Sequence, residues 1–582
     1  MRAPAQSSPD RSAPARAPRG ADRARRLIAL AQGASPAVQG LIALLCYLVI
    51  WVCTQTLPLL AHPGRPQLFQ ASMDPNFYVW CLRWWPYALT HGLNPLYSAS
   101  IGAPHGFDLA WVTTIPPLAL LMAPVTALAG PVVSFSLLVI AAIPVSGWAA
   151  FVLCRRLTGR FWASLAGGAV YGFSAYEMNH IVSGQLNLAV SLLLPLMAYL
   201  VVRWRDGDTG SRAFVALMAL ALALQCYLFL ETFAELTVAL VLAFAAGLAV
   251  ARRPDRAWIA RLGGLVGIAY VISLVLAAPY LAYALTHTPA AFSRSPAGPS
   301  LKLAGLVVPW PGHTFGLGWL ASAAADLPGP GLDGYIGVPL VILAVALAVA
   351  GWSRRFVRFL AVAIVVLIVV SLGPTLHVDA WTPVAHLPWG GLWNLPIARS
   401  AYPARFMVFA QLVLAVMTAL WLAKPRGSWW TWGLRWALAV LALAAITANT
   451  PPLDLTDQSG LPGYITTGAY RSDLSPGETL VVISERGNTG MLWQASTDFY
   501  TRLAGGYINQ AVSNHGGIPD PVAELAIGGL TKPNVRRFRA YLANARIGAI
   551  LVEANEAGPW PGIFGQLGLR GQDVDGVLVY RT

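Results

Sequence analysis

The sequence predicts a polytopic α-helical membrane protein with a C-terminal extracytoplasmic α/β domain. Apolar runs long enough to cross a bilayer recur along residues 37–449. Arg and Lys collect in the short segments between these runs and are sparse elsewhere. The composition agrees, because 56% hydrophobic residues, 11% charged residues and a mean hydropathy of +0.59 differ strongly from a soluble domain.

The first element is a basic N-terminal tail, residues 1–36. It is rich in Arg, Ala, Pro and Ser and has no apolar core followed by a small-residue cleavage site. We expect a disordered cytoplasmic tail rather than a signal peptide.

About eleven spans follow, and five basic segments separate them. Apolar length places the spans at 37–60, 131–154, 161–178, 186–203, 213–231, 232–251, 262–285, 335–352, 357–373, 403–423 and 434–449. The basic segments are 155–160, 203–212, 252–261, 354–358 and 424–435. The positive-inside rule places all five in the cytoplasm. An odd number of spans then puts the N-terminus in the cytoplasm and the C-terminus outside. We expect a bacterial inner-membrane protein, in which that outer side is the periplasm.

The long loops and the C-terminal domain are predicted to lie on the outer side of the membrane. The loops are 61–130, 286–334 and 374–402, and the C-terminal domain follows them. Residues 113–129 are apolar enough to span, but a span there would move the basic segment 155–160 outside. Four prolines in and beside this stretch favour a re-entrant or interfacial segment instead.

Residues 450–582 form a separate domain by composition, because charged residues return there at ordinary density. Segments 479–483, 548–552 and 576–580 have the pattern of strands, and 532–546 that of a helix. We expect a small α/β domain that docks over the membrane core.

Several function classes lose support at this stage. The formal net charge of +14 reports topology, so we predict no nucleic-acid partner. The five cysteines show no CxxC spacing, which argues against a disulfide framework or zinc site. No Walker, GxSxG, HExxH, dinucleotide or EF-hand motif occurs.

Candidate chemistry begins in the first outer loop at Asp74. It precedes an amphipathic, interfacial helix that carries Tyr78, Trp80 and Trp84. Capping explains Asp74 about as well as catalysis does, because Asp before Pro is a common helix start.

Two further pairs of ionisable residues stand at predicted outer ends of spans. Glu177 and His180 share a helix face, which suits proton transfer or metal binding, although a helix end wetted by water would need neither. Glu231 and Glu235 lie one turn apart in apolar sequence, where a carboxylate is costly unless it faces a cavity or partner. For this second pair we favour a short outer loop that leaves Glu231 solvated.

The later outer loops supply cations. Arg399 and Arg405 stand at the start of a span and could grip a phosphate. The alternative is that either Arg reaches outward to lipid headgroups.

The chain resembles the GT-C superfamily of membrane glycosyltransferases, with YfhO-type bacterial proteins nearby. The resemblance covers most of residues 37–582 and includes the first-loop acid, the aromatic helix and the outer domain. Six motifs carry it: Asp-Pro-Asn at 74–76, Asn-Pro-Leu-Tyr at 94–97, Pro-His-Gly at 104–106, Gly-Phe-Ser at 172–174, Ser-Leu-Gly-Pro at 371–374 and the stretch 399–406.

The resemblance implies a polyprenyl-phosphate sugar as donor, with Asp74 as general base or as a metal ligand. Many GT-C enzymes have paired acids in the first loop, whereas Asn76 follows here. Asp108 or Glu177 would then have to supply the second carboxylate for a Mg²⁺ or Mn²⁺ ion. If neither does, a metal-independent mechanism or a degenerate, non-catalytic protein gains support.

The predicted function is therefore inverting transfer of a sugar onto an envelope glycan, lipid or protein. Asp74, Glu177 and His180 are the catalytic candidates, and Arg399 and Arg405 the phosphate ligands. Tyr78, Trp80 and Trp84 are predicted to line the entrance for membrane-borne lipid or sugar. The rivals are a transporter or flippase of lipid-linked saccharides that uses Glu231 and Glu235, and a non-catalytic envelope assembly factor.

Overall fold

The computed structural model describes residues 32–65, 67–69, 74–287, 300–308, 333–377, 383–394, 401–425, 427–448, 453, 455–457, 461–483, 489–506, 535–556, 558 and 560–582. Within these ranges the protein is mainly helical, and a small sheet lies near the C-terminus.

The helices fall into long apolar ones and short connecting ones. In chain order they are α1 Pro36–Trp51, α2 Leu57–Ala61, α3 Asp74–Thr90, α4 Pro116–Leu121, α5 Ala123–Ala129, α6 Pro131–Thr158, α7 Phe161–Gly172, α8 Ala175–Val182, α9 Leu186–Ala189, α10 Leu193–Arg205, α11 Ser211–Leu228, α12 Leu230–Val250, α13 Arg253–Leu276, α14 Ala278–Thr286, α15 Val338–Gly351, α16 Arg355–Ser371, α17 Trp389–Leu392, α18 Met407–Ala423, α19 Trp429–Ala448, α20 Gly463–Thr466, α21 Tyr470–Asp473, α22 Thr489–Ser496, α23 Val535–Asn544 and α24 Trp560–Gln566. A π-helical turn, Val52–Thr56, joins α1 to α2, and 3₁₀ turns occur at Ala304–Leu306, Pro403–Phe406 and Ala554–Glu556.

Eight helical segments among the described residues are long and apolar enough to cross a membrane. They are Pro36–Ala61, Pro131–Thr158, Leu186–Arg205, Ser211–Leu228, Leu230–Val250, Arg253–Leu276, Pro403–Ala423 and Trp429–Ala448. Eight of the eleven predicted spans coincide with these segments.

The other three predicted spans correspond to shorter helices. Span 161–178 breaks after the 12 residues of α7, and α8 starts anew behind Ser174. Helices α15 and α16 have 14 and 17 residues. The expected count of eleven is therefore not reached by helix length, and the orientation of the termini stays a prediction. Residues 116–129 form the short helices α4 and α5, as their prolines suggest.

Close packing of α6 against α7 depends on glycines. A Cβ at Gly168 would lie 2.6 Å from the carbonyl oxygen of Gly147 and would collide with the Tyr47 hydroxyl. A Cβ at Gly172 would lie 2.8 Å from the Cα of Gly147. Small residues allow two membrane helices to approach closely, so these glycines set the distance between α6 and α7.

The strands are short and mostly C-terminal. They are β1 Gln67–Phe69, β2 Tyr97–Ser98, β3 Phe107–Asp108, β4 Thr375–His377, β5 Pro383–His386, β6 Leu455–Asp457, β7 Thr479–Ile483, β8 Arg502–Leu503, β9 Ile547–Glu553, β10 Gly571–Val574 and β11 Val577–Arg581. A five-stranded sheet has the order β10-β11-β9-β7-β8, in which β7 runs parallel to β8 and β9. The three predicted strands and the predicted helix of this domain are confirmed as β7, β9, β11 and α23.

The C-terminal domain docks on the first outer loop. Antiparallel pairing joins β1 to β6, and the amide of Leu503 donates to the carbonyl of Ser100 over 2.8 Å. The indole of Trp80 donates to Oε1 of Gln494 over 2.7 Å, and Arg83 pairs with Asp498. Helix α3 therefore lies between the C-terminal domain and the bundle.

Candidate functional site

Asp74 is the first residue of α3, and Tyr78 follows it by four residues, so both side chains lie on one face of the helix. Opposite them is the turn after α8. Oδ2 of Asp74 accepts from Nε2 of Gln185 over 2.8 Å, and the Tyr78 hydroxyl donates to Oδ1 of Asn187 over 2.6 Å. Two hydrogen bonds between side chains therefore fix the start of α3 against residues 185–187.

Gly184 explains why Gln185 reaches this position. Helix α8 ends in a Schellman motif, in which the Gly184 amide donates to Ile181 and the Gln185 amide donates to His180. Gly184 has φ +67°, a conformation that favours glycine. The motif folds Gln185 back beside His180, and Oε1 of Gln185 lies 2.7 Å from Nδ1 of the imidazole.

His180 is buried and has a second polar neighbour. Its Nε2 lies 3.6 Å from Oδ1 of Asp333, and the amide of Asn179 donates to that same oxygen over 2.5 Å. The ring of Tyr176 packs edge-on against the imidazole at 4.5 Å between centroids. Burial lowers the pKa of His180, although Asp333 opposes this effect. The neutral imidazole is therefore the favoured form at neutral pH.

Glu177 points elsewhere. It is fully buried and accepts a hydrogen bond from the Ser191 hydroxyl. That hydroxyl in turn accepts a hydrogen bond from the Tyr171 hydroxyl over 2.9 Å. Because Glu177 and His180 are both buried, the alternative of a water-wetted helix end is wrong. The two residues share a helix, but only His180 connects to Asp74 through Gln185.

A charged cluster adjoins His180. Arg405, in the 3₁₀ turn before α18, forms an ion pair with Glu231 in the first turn of α12. Glu235 lies one turn further and interacts electrostatically with both. Glu231 is 4% exposed and Glu235 0%. The expectation of a solvated Glu231 is therefore wrong, because Glu231 is buried and its carboxylate is held by the Arg405 guanidinium.

Arg405 does not reach out to headgroups. Its guanidinium carbon lies 4.9 Å from the ring centroid of Tyr402 and 5.3 Å from that of Phe229, which encloses the charge in aromatic surface. His180 lies within the electrostatic influence of Arg405, Glu231 and Asp333. The structure thus brings together residues from α8, α12, the segment before α15 and the turn before α18. Arg399 lies outside the described residues.

Trp80 and Trp84 pack beneath the C-terminal domain. Their rings stack at 5.1 Å, and both meet the edge of Phe499. Phe499 occupies a left-handed conformation, φ +57°, at the turn after α22. Both indoles are buried and hydrogen-bonded, so we place them in the interface between domains and leave them out of the candidate site.

Asp108 is separate from Asp74 in its contacts, since it accepts a hydrogen bond of 2.5 Å from Tyr283. Within the described ranges, no group of three or more His, Cys, Asp or Glu side chains is arranged to hold a metal ion. The predicted shared metal site of Asp74, Asp108 and Glu177 therefore does not fit the geometry.

The sequence singled out Asp74, His180 and Arg405 as candidates, but not Gln185 and Asp333, the polar neighbours of His180. Gln185 had one usable signal, the Ser-Gly that ends α8, because a Schellman turn returns the chain toward the last helical turn. Asp333 had none, since its approach to His180 depends on packing between distant segments.

Comparison with solved structures identifies the fold. The crystal structure of ArnT from Cupriavidus metallidurans bound to undecaprenyl phosphate matches with a TM-score of 0.51 and 12% identity, over 93% of this chain and 97% of that one. The Archaeoglobus fulgidus oligosaccharyltransferase in the apo form matches with a TM-score of 0.50 and 12% identity, over 93% and 74% of the two chains. The arabinofuranosyltransferase AftD from Mycobacteria matches with a TM-score of 0.52 and 14% identity, over 96% of this chain and 40% of that one.

The chain has a GT-C fold. At these identities the likeness concerns the fold alone. No protein-family model matches the sequence, and no curated protein does. The closer resemblance to YfhO-type proteins stays a prediction.

Proposed function

We propose that this protein transfers a sugar from a polyprenyl-phosphate carrier to an envelope glycan, lipid or protein acceptor. The observation that carries the proposal is the position of Asp74. In this GT-C fold, the first-loop carboxylate stands at the start of α3 and is held by Gln185, near a buried imidazole and the ion pair of Arg405 with Glu231. ArnT, which has the same fold, was crystallised with undecaprenyl phosphate.

Asp74 would act as general base in a single displacement. It would take the proton of the acceptor hydroxyl as that oxygen bonds to the anomeric carbon. The bond from the anomeric carbon to the phosphate oxygen breaks, and the carrier phosphate leaves with the electron pair. One displacement inverts the anomeric configuration.

Cations would stabilise the charge that develops on the leaving phosphate. Arg405 is ion-paired with Glu231, so it would serve the phosphate by sharing its guanidinium with that carboxylate, and Arg399 remains the second candidate. The described residues that were predicted as metal ligands do not form a common site. We therefore derive no step through a metal ion.

The test is sugar transfer from labelled polyprenyl-phosphate sugars in bacterial membranes containing this protein, with a lipid extract as acceptor. Asp74→Asn removes the base and is expected to lower transfer by about 10²- to 10⁴-fold. Asp206→Asn is the matched control, because Asp206 forms an exposed pair with Arg156 at a predicted cytoplasmic turn. Adding EDTA in parallel reports metal dependence.

Each outcome has a clear meaning. Transfer that survives in the Asp206 control but not in Asp74→Asn supports the enzyme and its base. Equal activity in both variants removes Asp74 from the mechanism. No transfer by wild type with any donor favours a transporter or an assembly factor.

One observation favours the transporter as second candidate. Glu231 and Glu235 are buried and lie with Arg405 in segments that can span the membrane, where ionisable residues mark substrate or ion pathways. Translocation of a fluorescent lipid-linked saccharide in liposomes would support this function if Glu235→Gln abolished it. Wild-type sugar transfer without translocation would argue against it.

A further inference from the structure

Gln185 is uncharged, yet the nitrogen and the oxygen of its side-chain amide each contact an ionisable residue. Nε2 donates to Oδ2 of Asp74 over 2.8 Å, and Oε1 lies 2.7 Å from Nδ1 of His180. We propose that Gln185 is a positioning residue that orients the carboxylate of Asp74, and that His180 fixes the orientation of the Gln185 amide. The inference rests on the proposed function, in which Asp74 is the base.

The donors and acceptors allow one arrangement only. An ionised carboxylate can only accept hydrogen bonds, so the amide nitrogen of Gln185 must face Asp74. The amide oxygen then faces His180, and Nδ1 must carry the imidazole proton. A flipped amide would set its oxygen against the carboxylate. Asp74 therefore sets the amide orientation, and an imidazole with its proton on Nδ1 matches it.

His180 is itself held in place on several sides. The edge-on Tyr176 ring, the 3.6 Å approach of Asp333 and the Schellman turn at Gly184 restrict the imidazole. Asn179 in turn holds Asp333. A ring fixed in this way presents its Nδ1–H in one direction. The hydrogen bond from His180 to Gln185 then orients the amide, and the hydrogen bond from Gln185 to Asp74 orients the carboxylate.

A primary amide between the two groups argues against direct proton transfer from Asp74 to His180. The Gln185 amide is neither acidic nor basic near neutral pH. It therefore orients its partners but does not carry a proton between them. This role differs from the acid–base role that the spacing of Glu177 and His180 predicts. Glu177, on the same helix, instead accepts a hydrogen bond from Ser191.

Variants at 180 and 185 separate positioning from proton transfer. The side-chain NH₂ of Asn can take the place of the Nδ1–H group of His, whereas Leu cannot donate. We expect His180→Asn to keep transfer within about threefold of wild type, and His180→Leu to lower kcat by about 10- to 100-fold. Gln185→Met should lower kcat by a similar factor and change KM by less than about twofold, because substrate binding is left intact.

Gln39→Met is the matched control. Gln39 is also buried and hydrogen-bonded, to Arg155 and Gln32, but it stands at the opposite end of the first span from the Asp74 loop. The control should keep wild-type kcat. Thermal unfolding in detergent, measured for every variant, identifies any that lose activity because they unfold.

The outcomes distinguish the inference from the function on which it rests. His180→Asn as inactive as His180→Leu overturns the positioning role of His180, and wild-type kcat in folded Gln185→Met overturns that of Gln185. Wild type without transfer, or full activity of Asp74→Asn, overturns both the function and the inference. Loss in Asp74→Asn, Gln185→Met and His180→Leu, with retention in His180→Asn, supports both.

Discussion

Removing the charge of Arg405 should destabilise the protein far more than neutralising Glu231. Arg405 forms an ion pair with buried Glu231 and interacts electrostatically with buried Glu235. Arg405→Met leaves Glu231 buried without this cation and beside a second carboxyl. Glu231→Gln leaves Arg405 beside the carboxyl of Glu235, which can pair with it in place of Glu231.

The magnitudes follow from burial. Breaking a buried pair by removing one partner costs about 3–5 kcal/mol, because a charge stays buried without compensation. We expect that cost for Arg405→Met. For Glu231→Gln we expect less than about 2 kcal/mol, since Glu235 can still pair with Arg405. The order of the two variants is thus the main prediction.

The assay is reversible unfolding in mixed micelles with increasing SDS, followed by intrinsic tryptophan fluorescence. Arg156→Met is the control, because Arg156 makes a partly exposed pair with Asp206 and should cost about 1 kcal/mol or less. If Glu231→Gln destabilises as much as Arg405→Met, the reasoning is refuted, because Glu235 then gains nothing from Arg405.

Three further outcomes are expected. Gly168→Ala should destabilise the protein in the same unfolding assay, because its Cβ would lie 2.6 Å from the Gly147 carbonyl oxygen; unchanged stability would contradict the close packing. Because the pKa of His180 is lowered in the folded protein, its neutral form contributes stability that is present above its ordinary pKa and is lost as pH falls through the lowered one. Wild type should therefore lose more thermal stability than His180→Asn between about pH 7 and about pH 5, and equal losses would contradict this. Trp80→Phe should loosen the C-terminal domain by removing the indole donor to Gln494, seen as faster limited proteolysis of residues 450–582 with the spans intact; an unchanged cleavage rate would argue that the other contacts suffice.

Local sequence patterns predicted a large part of the fold, since hydropathy is a property of neighbouring residues. Eight of the predicted spans and the strands β7, β9 and β11 follow directly from such patterns. The span at 161–178 failed because hydropathy does not register the break at Phe173, where α7 ends and Ser174 caps a new helix. The Gly-Phe-Ser motif at 172–174 marks this break.

The site was predicted in part for a related reason. Asp74, His180 and Arg405 are ionisable residues in apolar or interfacial sequence, and such residues are costly enough to be noticed. The roles of Trp80 and Trp84 were less accessible, because an amphipathic aromatic helix looks the same whether it meets lipid or a folded domain. Both rings pack against Phe499, which comes more than 400 residues later in the chain, in the turn after α22.

The sequence by itself determined that the chain is a membrane protein, where most of its helices run, and that Asp74 begins a helix. These properties depend on apolar length and local capping, which adjacent residues encode. Only the tertiary structure decided that Glu231 and Glu235 are buried with Arg405, and that Gln185 joins Asp74 to His180. Hydrogen bonds and ion pairs of this kind have ranges of a few ångströms, so they form between segments that the fold brings together and the linear sequence keeps apart.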